Sequence, residues 1–224
     1  MSETKKYIND LISYGFKKFF QKEKYKKSGI DFIKKEESTI KIVSFWPGHS
    51  NVTISLGIFF PEVNNYITSK YMDNNPKRVA DCHVQQQNLG FLTDPKKAKW
   101  WDLYDTGNVI DLEKLSLEIF ETFIKYGFPW LNGCNTCDQA LDYLLNEKAY
   151  SLLSPLTIPS LYLILGEKED AKKHLENSYS HYIEYYSDEA LKEYRDALNH
   201  ITQEYNEFAN KNSLDIHFVN KLNE

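Results

Sequence analysis

The chain has 224 residues, 42% hydrophobic and 15% aromatic, with 27 Lys and Arg against 32 Asp and Glu for a formal net charge of −5. That is enough apolar chain for a well-buried core in one domain, or in one domain with a helical extension. The acidic balance argues against nucleic acid as a partner, because phosphate binding draws on a Lys/Arg surplus, and it suits a basic protein partner.

The first element predicted is a helix over residues 4–21. Ile8, Leu11, Ile12, Phe16, Phe19 and Phe20 recur at the i, i+3, i+4 spacing of one apolar stripe. The same stretch lacks the uninterrupted apolar segment of a signal peptide, and no apolar run nears the roughly 20 residues of a membrane span. The expectation is a cytoplasmic protein with no membrane partner, in which the sequon Asn51-Val52-Thr53 stays idle.

From residue 30 the period changes to two. GIDFIKKEE and TIKIVSFW alternate, the turn-rich PGHSN follows, and VTISLGIFF places Val52, Ile54, Leu56, Ile58 and Phe60 on one face. This is the pattern of half-buried antiparallel strands, with a hairpin closed at residues 47–51. Residues 61–79 read as a loop with a short helix. ADCHVQQQNLGFL restores alternation and reads as a fourth strand, with Ala80, Cys82 and Val84 opposite Asp81, His83 and Gln85. Such a meander needs a cover on one face. The helix at 4–21 and another over 112–126, carrying Leu112, Leu115, Ile119 and Phe123, can supply it.

Beyond about residue 136 the pattern is helical: 137–148, 158–165, 168–186 and 188–211. The stretch IPSLYLILGEKEDAKKHLENSY resembles one tetratricopeptide-type hairpin, without a second copy to make an array. The fold class expected is therefore α+β: about four antiparallel strands packed on N-terminal and central helices, then a C-terminal helical region. Residues 1–132 form the α+β domain and 133–224 the helical extension.

Three stretches could carry chemistry. Cys134 and Cys137 form a C-x-x-C, but Thr136 and Gln139 form a capping box that starts a helix at Cys137. Cys137 then falls on the apolar stripe and is expected to be buried, with Cys134 in the loop before it. A helix N-terminus lowers a thiol pKa, which is the argument for a redox pair. No strand precedes the motif, and a zinc site would need ligands beyond it, with Cys82 and His83 the nearest in kind. The reading is a structural helix start, with no metal and no cofactor.

In KKAKWWDLYD the adjacent Trp100 and Trp101 cannot both face one core. One is expected inside and the other at least partly exposed; Trp101, Asp102, Tyr104 and Asp105 are the candidates for an acidic and aromatic binding surface, and the competing reading makes both indoles aromatic caps of the sheet edge. In the fourth strand Asp81, His83, Gln85 and Gln87 share a face, and with Trp46 and His49 could line a polar groove on the uncovered side of the sheet. The competing reading is a solvated sheet face, since strand residues two apart stand about 7 Å from each other.

SYGFKK, TISLGIFFPE, DCHVQQQNLGFL, KWWDLYD and YGFPWL occur in that order. The ordered set resembles the DUF4304 family, bacterial domains of unknown function, over roughly residues 5–145. Trp46 stands where the family pattern has Gln, and Gln87 and Asn88 where an Arg is common. The resemblance implies an α+β fold, the bacterial cytosol and a likeness to immunity proteins that neutralise secreted toxins. It brings no catalytic residues.

The sequence does not determine a function. Its best reading is a non-enzymatic protein-interaction module, immunity-like, whose partner is a basic protein such as a toxin. The alternative is a small-molecule-binding domain or hydrolase using the groove of His49, Asp81 and His83.

Overall fold

The computed structural model describes residues 3–67, 75–86, 88–105, 108–146, 155–187 and 195–220. The first helical stretch runs through α1 (Glu3–Leu11), a π-turn (Ile12–Phe16) and α2 (Lys17–Lys22). Its predicted stripe is buried at Ile8, Leu11, Ile12, Phe16 and Phe20, whereas Phe19 is half-buried. A second broken helix consists of α3 (Leu112–Thr122), a π-turn (Phe123–Gly127) and α4 (Phe128–Gly133). Asp111 caps α3 by accepting from the N–H groups of Glu113 and Lys114.

Each π-turn falls on a Tyr-Gly-Phe tripeptide, at residues 14–16 and 126–128. Gly15 lets the first helix approach the second closely: a Cβ there would lie 2.6 Å from Ser116 Oγ and 3.1 Å from its carbonyl oxygen. Ser116 Oγ in turn donates to Leu11 O at 2.6 Å, tying α3 to the turn where the first helix widens.

Aromatic rings fill the space between helices and sheet. Phe16 meets Phe45 edge-on at 4.9 Å and Phe120 at 5.1 Å, and Phe20 stacks on Phe32 at 4.1 Å. Such pairs add about 0.5–1.5 kcal/mol each beyond area burial.

The sheet is the predicted meander with short additions. β1 (Lys26–Ser28), β2 (Asp31–Lys35), β3 (Ile40–Pro47), β4 (Asn51–Phe59) and β5 (Val84–Gln86) pair antiparallel in chain order. β6 (Trp101–Asp102) also pairs with β4, beyond the end of β5. β7 (Tyr104–Asp105) and β8 (Asn108–Val109) form a separate ribbon. The β3–β4 hairpin turns where expected, with Pro47 opposite Val52.

One expectation is corrected. β4 is not half-buried: every residue from Val52 to Phe59 is buried, on both faces. Val43, Phe45, Ile54 and Leu56 share the parity of the helix-covered face. Ile42, Ser44, Ser55, Gly57 and Phe59 face the other way, where Val79 and Cys82 pack against Ile40, Ile42 and Phe59. The stretch 79–86 is accordingly not one alternating strand. It opens with a 3-10 turn at Val79–Asp81 that lays Val79 and Cys82 on the sheet, and pairs only from Val84. Gly57 makes room for this cover, since a Cβ there would lie 2.6 Å from Cys82 Sγ.

Lys41 is the exception on the helix side, a charge only 2% exposed. Its Nζ meets Glu36 Oε2 at 2.8 Å and Asn132 Oδ1 at 3.0 Å. Buried cations persist when paired in this way.

By internal contacts the chain forms two units, residues 1–60 with 75–136, and residues 61–74 with 137–224. The second is helical: a 3-10 turn (Pro61–Asn65), α5 (Cys137–Asn146), α6 (Thr157–Ile164), α7 (Lys168–Ser187) and α8 (Arg195–Lys211). α5 begins at Cys137 as the capping box predicts. α6 and α7 make the predicted hairpin, turning at Gly166 with φ +81. α8 packs on α7 through Tyr179 and Tyr205, whose rings lie 5.5 Å apart. Residues 147–148 and 188–194, at the ends of the helices predicted over 137–148 and 188–211, lie outside the described residues. Among the described residues no helix is long and apolar enough to cross a membrane.

Candidate functional site

At the hairpin end of the sheet, on the face away from the helices, the register across β3, β4 and β6 sets residues in rows. Trp46 stands opposite Thr53, and Asn51 opposite Asp102. Val52 pairs with Trp101, so one step further along the ladder puts Trp100 beside Thr53. Two indoles thus flank Thr53 on the outer face, with backbones about 10 Å apart by strand spacing. Trp46 is 56% exposed and Trp100 40%. Asp102, Pro47 and His49 are exposed around them.

The backbone bearing Trp100 is held from both sides. Asn88 Oδ1 accepts from Lys99 N at 3.0 Å and also from Gly90 N at 2.8 Å. Thr53 Oγ1 donates to Lys99 O at 3.0 Å. Both side chains are buried. Two buried polar groups therefore anchor the residue preceding an exposed indole, which lowers the ordering cost of any contact made there.

Trp101 points inward and is buried. Its Nε1 donates to Glu118 Oε1 at 2.9 Å, Lys99 Nζ reaches the same oxygen at 2.9 Å, and that ammonium lies 4.8 Å from the indole centroid. The hydrogen bond from Lys99, joined by that from Trp101, outweighs burial and holds the Glu118 carboxyl below its ordinary range. Trp101 is thus a core anchor and not part of the expected surface patch, and Trp100 takes the exposed place beside Asp102. Tyr104 is half-buried, edge-on to Tyr7 at 5.8 Å. Asp105 lies in β7, and its side chain is outside the described residues, as is Gln87 altogether.

The remaining candidates lie elsewhere and make internal bonds. Gln85 pairs with Gly57, four residues along β4 from Thr53, which at about 3.3 Å per residue is some 13 Å from the Trp46 row. Gln85 Nε2 donates to Cys82 O at 2.8 Å. Asp81 Oδ2 accepts from Lys77 N and Arg78 N at 3.1 and 3.0 Å, and its Oδ1 meets Arg78 Nη2 at 3.2 Å. His83 is 1% exposed and stacks on Phe59 at 4.4 Å. Its Nδ1 accepts from Phe60 N at 3.0 Å, and burial pushes its pKa down to about 3. A neutral imidazole that uses a ring nitrogen to satisfy the backbone is a structural group. Trp46 and His49 are therefore not brought together with Asp81, His83 and Gln85. The sheet face that was to hold their groove is packed by Val79, Cys82 and His83.

None of the three cysteines is in a disulfide. Cys134 is buried and Cys137 half-buried, the reverse of the expectation. Burial, followed by the charges of Glu62 and Asp138, lifts the Cys137 thiol to about 11. That is the opposite of the activation a redox cysteine requires. Among the described residues no three His, Cys, Asp or Glu side chains group to hold a metal ion.

Sequence reasoning left Trp100, Thr53 and Asn88 out of the candidate site. Adjacent tryptophans announce that one faces out, but the pairing partner of Trp101 decides which.

No curated protein and no solved structure matches the chain. A family model matches residues 11–133, more than half of the 224, and spans the sheet, its helical cover and the Trp100–Asp102 stretch. The chain belongs to the DUF4304 family, a domain of unknown function.

Proposed function

We propose that the protein is a non-enzymatic interaction module that binds a protein partner through the hairpin end of its sheet. The supporting observation is the pair of exposed indoles, Trp46 and Trp100, flanking Thr53 on one face, with the backbone before Trp100 anchored by Asn88 and Thr53. Tryptophan carries a large share of binding energy when a partner desolvates it. Asp102 beside the rings and the net charge of −5 favour a basic partner surface. Lys96 and Lys97 are exposed in the same loop, so attraction comes from Asp102 and the molecule as a whole. A basic secreted toxin neutralised in the cytoplasm fits this reading, which makes the protein immunity-like.

The test is cross-linking and mass spectrometry in the host to name the partner, followed by titration of purified components. Trp46→Ala, Trp100→Ala and Asp102→Lys are each expected to weaken binding tenfold or more, about 1.4 kcal/mol, with no change in melting temperature. Unchanged affinity in all three variants removes this face as the binding surface.

A further inference from the structure

The helical unit carries a second surface of a different kind, on α7, α8 and the segment after them, beyond the family-matched residues. After α8 the chain turns back and runs over α7 and α8 through residues 214–220. The Asn206 side chain holds both main-chain groups of one residue there: Phe218 N donates to Asn206 Oδ1 at 2.8 Å, and Asn206 Nδ2 donates to Phe218 O at 2.9 Å. A single planar amide reaches both groups only when they point the same way, which is the extended conformation. His217 and Val219 then present their N–H and C=O groups on the opposite edge. Among the described residues those groups have no hydrogen-bond partner.

The direction of that free edge follows from the packing. The Phe218 ring sits 4.7 Å from Tyr179 on α7 and 5.3 Å from Tyr205 on α8. Asn206 lies on α8, so the edge it does not occupy faces α7. A cavity of about 390 Å³ lies there, between Glu176, Tyr179, Ser180 and Ile183 of α7 and residues 216–219. Glu176 is the carboxylate among its lining groups.

We propose that this groove binds an extended peptide, which adds as a strand to the free edge at His217 and Val219. An open row of main-chain donors and acceptors is matched by another extended backbone. The floor of Tyr179 and Ile183 takes an apolar side chain at one position. Glu176, on the same face of α7, takes a Lys or Arg two positions along, where side chains of an extended peptide point the same way. Asn206 keeps the template strand straight before the peptide arrives, so little ordering remains to be done on binding.

The test uses the full-length protein, isotope-labelled for NMR, and as the probe a blocked peptide in which valine and arginine take turns at every second position, with threonine between them. Since the pairing is through the main chain, binding tolerates sequence and is expected at up to millimolar concentration. Amide shifts should be confined to residues 176–183 and 216–219. Methylating the alternate peptide nitrogens that face the edge should weaken binding at least tenfold. Val219→Pro, which removes a donor, and Glu176→Lys, on an exposed position, should each weaken it severalfold while the rest of the spectrum is unchanged. Absence of shifts, or equal binding by the methylated peptide, overturns strand addition. Shifts in the same residues that depend on protein concentration without peptide show that a second copy covers the edge, and also overturn it.

Discussion

Cys134 and Cys137 are three positions apart and differ in what surrounds them. The helical stripe marks Cys137 as the inward residue, yet Cys134 is 4% exposed while Cys137 retains water contact. A hydroxyl in place of a buried thiol loses an apolar contact and must find a hydrogen bond, at a cost of about 1–3 kcal/mol in protein interiors. Cys134→Ser is therefore expected to lower the urea midpoint by an amount worth about 1 kcal/mol or more, and Cys137→Ser by distinctly less. Equal losses in denaturant titrations would show that the two sites are equally enclosed. The same dependence on neighbours separates Trp100 from Trp101, and makes His83 a backbone acceptor where an alternating pattern suggests an exposed acid–base group.

At the level of elements, periodicity identifies strands and helices well and identifies covers poorly. The stripe of the first helix, the hairpin at residues 47–51 and the start of α5 are all legible, because each depends on near neighbours in the chain. The stretch 79–86 is not, because its 3-10 turn is selected by what it covers. Gly57 records that contact: an added methyl would meet Cys82 Sγ at 2.6 Å, Cys82 Cβ at 2.9 Å and Val79 Cα at 3.3 Å. Overpacking of this kind costs about 1–3 kcal/mol. Gly57→Ala is expected to destabilise by that amount, and Cys82→Ala in the same chain to recover part of it. Additive losses in the double-mutant cycle would mean that the two sites do not press on each other.

At the level of the whole molecule, stability depends on pH through groups the fold has shifted. Unfolded, His83 takes up a proton near pH 6.5; folded, only near 3. Between those values the unfolded state binds the additional proton, so stability falls as pH drops, by up to about 1.4 kcal/mol per pH unit for this one group. Glu36 adds to the loss at lower pH. Burial alone would raise its carboxyl, but hydrogen bonds from Lys41 and Lys34 hold it below the ordinary range, so its stabilisation disappears as it is protonated. Asp31, raised by burial, works in the opposite direction. Urea unfolding at pH 6.5 and pH 5 is expected to show a loss in the wild type up to about 2 kcal/mol larger than in His83→Gln. Equal losses would mean that the imidazole titrates normally in the folded protein.

Composition and spacing alone determined the α+β class, an aromatic core, a meander closed at the Pro47 turn, a helical C-terminal region and membership suggested by an ordered set of motifs. These are encoded locally, since the period of apolar residues depends only on the backbone geometry of each element. Tertiary structure alone decided that the second sheet face is closed, that Trp100 and not Trp101 faces out, that Cys134 is the enclosed thiol, and that a chain segment after α8 leaves one edge open. Each of those depends on which distant residue arrives at a given surface, and a side chain's period along its own strand or helix carries no record of that.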